Sequence, residues 1–91
     1  MVNIKITKMS EFQEICKKSL VDSYKDIIGK DITLDNTFIV WSVKALQNFK
    51  ALASTNISGD NVYVEYTYNG NKEELYEDFY IKENNRAIRD I

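Results

Sequence analysis

The strongest constraint on the fold is an apolar stripe that cannot bury itself. Phe12, Ile15, Cys16, Leu20, Tyr24, Ile27 and Ile28 recur at helical spacing, with Lys17, Lys18, Asp22 and Lys25 falling between them. One helix carrying such a stripe needs a second apolar surface to lie on. Ser10 and Gln13 have the spacing of a capping box, and Gly29 supplies a left-handed stop, so a helix is expected over residues 10–28.

The surface it needs is expected from strands. Residues 62–68, VYVEYTY, alternate with period two: Val62, Val64, Tyr66 and Tyr68 on a core face, Tyr63, Glu65 and Thr67 on the outer one. Residues 37–55 hold the β-branched and aromatic run FIVWSV, in which Ile39, Trp41, Val43 and Ala45 alternate onto one face. Phe38, Ala45, Phe49 and Leu52 also fit a helical stripe. The hairpin is preferred, with strands over 37–45 and 50–56 and a turn near Gln47-Asn48. Ser58-Gly59-Asp60-Asn61 and Asn69-Gly70 mark further turns. Residues 30–36 form a polar connection around Ile32 and Leu34, and residues 2–7 alternate as a short strand or an arm.

After Asn69-Gly70, Asn71 and Glu74 have N-cap and capping-box spacing, and Leu75, Tyr76, Phe79 and Tyr80 read as an apolar helix face. The acids Glu73, Glu74, Glu77 and Asp78 then fall where a helix dipole favours negative charge, so a second helix is expected from residue 72 to about 84 or beyond. The expected architecture is α+β, in the order α-β-β-β-α: a three-stranded antiparallel sheet packed on two helices in a single domain over residues 1–91.

Composition narrows function by exclusion. The 91 residues include no histidine and one cysteine. Without imidazole, the Ser-His-Asp and Cys-His routes and a Cys/His zinc set are closed. Cys16 lies on the helix stripe, where a thiol behaves as a small hydrophobe, and a lone thiol requires no oxidising compartment. No apolar run approaches the roughly 20 residues of a membrane span, and residues 1–12 lack a signal peptide's apolar core. The expectation is a cytoplasmic protein that binds rather than catalyses, with no cofactor, no metal and no membrane.

The net charge of −2 argues against general nucleic-acid binding, which draws its affinity from phosphate neutralisation. Lys17, Lys18, Lys25 and Lys30 are the residues that would carry a nucleic-acid role, and the α-β-β-β-α order shares the outline of double-stranded-RNA-binding domains. The acidic start expected for the last helix would repel phosphate there. Candidate partner-binding residues are Tyr63, on the outer sheet face, with Glu65, Glu73, Glu74, Glu77 and Asp78, which can present negative charge to a basic protein surface. Trp41, Tyr66 and Tyr80 are assigned to packing. A small ligand such as a signalling nucleotide, stacked on Tyr63, is a further alternative.

The runs WSVKALQNFKALAST and YVEYTYNGNKEELYEDFY together resemble an uncharacterised family of small phage and prophage proteins of Gram-positive bacteria. The resemblance covers residues 38–80 and departs in the Glu-Tyr-Thr-Tyr order at 65–68 and in the arm VNIKITKM. It brings no activity and no catalytic residues. What it implies is a setting: a phage-encoded accessory protein in the bacterial host cell, acting on a host or defence protein as an inhibitor of the anti-CRISPR or another counter-defence kind.

Overall fold

A computed structural model describes residues 5–83, 86 and 88. Helix α1 spans Met9–Ile27, a single 3₁₀ turn spans Leu34–Asn36, and four strands follow: β1 Thr37–Ala45, β2 Asn48–Thr55, β3 Val62–Asn69 and β4 Glu74–Ile81. The sheet is an antiparallel meander in the order β1-β2-β3-β4, with β1 and β4 at its edges. The fold is α+β as expected, with one α-helix and four strands among the described residues in place of two helices and three strands.

Helix α1 buries Phe12, Cys16, Leu20 and Tyr24, all inaccessible to solvent. A strict four-residue repeat overshoots the 3.6-residue turn by about 40° each time. The buried line therefore winds around the helix and crosses the strands obliquely. It meets Phe49, Ala51 and Ala53 of β2 and Val62, Val64, Tyr66 and Tyr68 of β3. Phe12 stacks on Phe49 at 5.2 Å between ring centroids. Alanines on β2 let the helix approach closely, while the larger β3 tyrosines reach up to it. Ile6 closes one end of the core, its N–H donating to the Tyr68 hydroxyl at 3.0 Å. Ile27, assigned to the buried stripe from its spacing, is exposed.

Ser10 does not cap α1. The helix begins one residue earlier with Lys8 at the N-cap and no side-chain cap bond. Gly29 does stop it, at φ +85, with its N–H shared between the carbonyls of Tyr24 and Lys25. Of the N-terminal strand, Val2 and Ile4 lie outside the described residues, and Lys5–Thr7 pair with no strand.

The expected last helix is instead strand β4. Asn71 does not cap, because the Asn69 side chain takes the N–H groups of Asn71 and Lys72 and so forms the turn itself. Glu73 then adopts φ +53, and the chain reverses into β4. All eight residues of the run ELYEDFYI pair with Val62–Asn69. A helix here would have left the whole outer edge of β3 unpaired. The two hairpin tips at this end of the sheet pack on each other. A Cβ at Gly70 would sit 2.2 Å from the carbonyl oxygen of Gln47, so only glycine fits. The first hairpin turns at Leu46-Gln47, one residue before the expected position, with exposed Leu46 at φ +57.

Candidate functional site

The helix covers one face of the sheet and leaves the other open. In an antiparallel ladder, directly paired residues share a face. The register therefore sets three rows of side chains across all four strands of the open face. They are Phe38-Ser54-Tyr63-Tyr80, Trp41-Leu52-Glu65-Asp78 and Val43-Lys50-Thr67-Tyr76. Strands about 4.8 Å apart make each row roughly 14 Å long.

A bulge between Ile39 and Trp41 decides which apolar residues of β1 join these rows. Strict alternation would place Ile39, Trp41, Val43 and Ala45 together. The extra residue, Val40, moves the register by one. Ile39 turns toward α1 and packs on the core, while Trp41 and Val43 turn outward beside Phe38. The inward face at this point is tied to the helix by Gln13, whose side-chain amide donates to Ser42 Oγ at 2.8 Å.

Trp41 is 43% exposed, Tyr80 42%, Tyr63 38% and Tyr76 45%. Four large aromatics thus stand on a face that nothing among the described residues covers. Tyr66 is fully buried in the core, Tyr80 packs on the sheet face against Tyr63, and Trp41 stands partly exposed on β1. Tyr63 and Tyr80 stack face to face at 4.9 Å. A depression of about 580 Å³ opens beside Phe38, Ser54 and Tyr63, and a groove of about 700 Å³ separates the β1 edge from α1.

The open face carries charge on one side. Glu65 and Asp78 are direct cross-strand partners, and Glu74 lies on the same face of β4, accepting a hydrogen bond from the Tyr76 hydroxyl. Lys50 is the one cation in the three rows, 3.6 Å from Glu65. Among the described residues Asp78 has no ion-pair partner. The carboxylates leave a mark on the phenol beside them: Asp78, then burial, then Glu65 and Tyr63 hold the Tyr80 hydroxyl above its usual range.

Of the six residues expected to bind a partner, Tyr63, Glu65, Glu74 and Asp78 come together on this face. Glu77 does not. It points to the opposite side, where its carboxylate accepts from Tyr66 at 2.6 Å and from Ser23 of α1 at 2.6 Å. Glu73 lies in the turn before β4. The acids were expected in one patch on the reading of a helix; a strand sends alternate residues to opposite faces. Phe38, Trp41, Val43, Leu52, Tyr76 and Tyr80 were missed as site residues. The signal that finds Tyr76 and Tyr80 is the Asn69-Gly70 hairpin followed by ELYEDFYI read with period two, while Trp41 and Val43 depend on the bulge at Val40.

Three of the four lysines of the nucleic-acid alternative are paired with carboxylates. Lys18 pairs with Glu14, Lys25 with Asp31 and Lys30 with Asp60, while Lys17 lines the groove beside β1. Asp60 also accepts from the buried Tyr24 hydroxyl, and these two hydrogen bonds hold its carboxyl below the usual range. Burial, with Asp60 as its hydrogen-bond partner, pushes Tyr24 up to about 12. Cys16 is inaccessible to solvent, and burial pushes its thiol up to about 12, so it offers no thiolate at neutral pH. Among the described residues no three metal-ligating side chains converge, and no helix is long and apolar enough to cross a membrane.

The arrangement can therefore offer a flat lattice, apolar at the β1 edge and acidic and tyrosyl at the β4 edge. Neither the curated proteins nor the solved structures contain a match to the chain. The model of a family of unknown function, DUF6275, matches residues 13–90, which takes in all of the sheet and all but the first turn of α1, and the chain belongs to that family.

Proposed function

We propose that this protein works by stoichiometric binding of another protein on the open face of its sheet. The observation that carries the reading is the set of exposed aromatics Trp41, Tyr63, Tyr76 and Tyr80, spread over three rows of a face that no element among the described residues covers. Exposed tryptophan and tyrosine are the side chains that most often anchor protein interfaces, because they bring large contact area at little entropic cost. A contiguous apolar patch is costly to leave in water and is normally covered by a partner. The partner we have in mind is a host or defence protein of a bacterial cell, the setting that the motif resemblance implies, with the chain serving as a phage-encoded inhibitor. The ion-paired lysines of α1 lend less support to a nucleic-acid role.

The test is affinity capture from a bacterial lysate with the tagged chain and with a Trp41→Ala/Tyr80→Ala variant. Both substitutions are on the surface, and an unchanged circular-dichroism spectrum checks that the variant folds. The expected result is a partner retained in a one-to-one complex by native mass spectrometry and lost with the variant. A partner retained equally by both chains would sink the reading.

A further inference from the structure

We infer that the acidic half of the open face is the seat of an arginine carried by the bound protein, with the guanidinium held over Glu65 and Asp78 between the tyrosines of the flanking rows. This rests on the proposed protein-binding reading and names the chemistry of its partner. Glu65 and Asp78 stand directly opposite each other on adjacent strands, a juxtaposition of like charges that destabilises a sheet. Lys50 reaches Glu65 alone. One row away, the Tyr63 and Tyr80 rings stack with 14° between their planes, and Tyr76 stands on the other side.

Charge decides among the possible occupants. The face holds Glu65, Glu74 and Asp78 against Lys50, with Lys82 apart from them beside Phe38 and Tyr63, so the Glu65–Asp78 half is negative; a second copy laid on it would oppose negative with negative, and a nucleic-acid backbone would be repelled there. A cation is attracted. Of the two protein cations, arginine is favoured: its planar fork takes two carboxylate oxygens at once, and its flat face stacks on phenol rings, neither of which an ammonium does as well. At the apolar end of the same row, Leu52 stands next to Glu65, about 5 Å away, and Trp41 lies roughly 10–14 Å from the two carboxylates across the strands. The occupant is therefore a protein segment with an apolar anchor and an arginine at that separation.

The experiment titrates the ¹⁵N-labelled full chain with hexa-arginine and with hexalysine at low ionic strength, following amide shifts. The expected result is tighter binding of the arginine peptide, with shifts centred on Tyr63, Glu65, Tyr76, Asp78 and Tyr80. A Glu65→Gln/Asp78→Asn variant should weaken that binding about tenfold or more, as loss of a charge-assisted pair does. A Glu11→Gln/Glu14→Gln variant of α1, off the open face, should leave it unchanged. Equal affinity for the two peptides, or shifts centred on the α1 acids Glu11, Glu14 and Asp22, would overturn the assignment. The peptides carry no apolar anchor, so this failure would leave Trp41-dependent capture of a protein standing, and failed capture would leave the peptide result standing.

Discussion

The clip formed by Tyr66 and Glu77 yields a stability prediction with an unusual order of effects. Tyr66 is sealed from solvent, and its hydroxyl donates to Glu77 Oε2 at 2.6 Å. Glu77 itself is exposed and also holds Ser23 of the helix. Replacing Glu77 by leucine caps a buried hydroxyl with hydrocarbon, and an orphaned buried donor costs about 1–3 kcal/mol. Replacing Tyr66 by phenylalanine removes the donor and leaves a carboxylate that water can reach, so the loss is no more than the net bond to a charged acceptor, about 1.5–3 kcal/mol, with no orphan added. The combined Tyr66→Phe/Glu77→Leu variant has no orphan. It should therefore be more stable than Glu77→Leu alone, although it carries one more substitution. For a domain of this size, the roughly 2 kcal/mol expected for Glu77→Leu lowers Tm by about 10 °C. Urea unfolding of the four proteins at pH 7, with m unchanged across the set, measures the order. If the double variant is less stable than Glu77→Leu, the hydroxyl is not what makes Glu77 matter, and the reasoning is refuted.

Asp78→Lys should raise stability while removing function, because it replaces a like-charge cross-strand pair with an opposite one across from Glu65. The expected gain is about 0.5–1 kcal/mol by thermal melting, together with loss of hexa-arginine binding; a loss of stability would show that the Glu65–Asp78 pair carries no repulsion. Stability should also fall in alkali. The folded pKa values of Cys16 and Tyr24 are both raised to about 12 from ordinary values of 9.0 and 10.0, so the folded state holds these protons more tightly than the unfolded state. Their contribution is whole below pH 9 and is lost as the pH climbs toward 12. Denaturant midpoints measured from pH 8 to 11 should drop progressively, and a flat profile would contradict the burial of both groups.

Much of the fold was legible because it rests on local periodicity. The α1 stripe, its glycine stop, the 37–45 strand and the inward set Val62, Val64, Tyr66 and Tyr68 all follow from spacing within a few residues. The last element was misread because Leu75, Tyr76, Phe79 and Tyr80 satisfy a helical face and a pleated strand equally well over so short a run, and Asn71 and Glu74 imitate a helix cap. Pairing settled it: β3 had an unpaired edge, and eight residues of β4 supply its hydrogen bonds.

Residue order alone determined that an amphipathic helix would need an apolar sheet to lie on, that Cys16 would be buried in the contact, and that Tyr63 and Glu65 would face away from it. It could not determine which residues stand with them. That set depends on a bulge at Val40 that turns Trp41 outward and on a strand that splits Glu77 from Asp78. Both are consequences of register between strands, which the hairpin turns and the bulge set together, and the bulge leaves no mark in the alternation of the β1 side chains themselves.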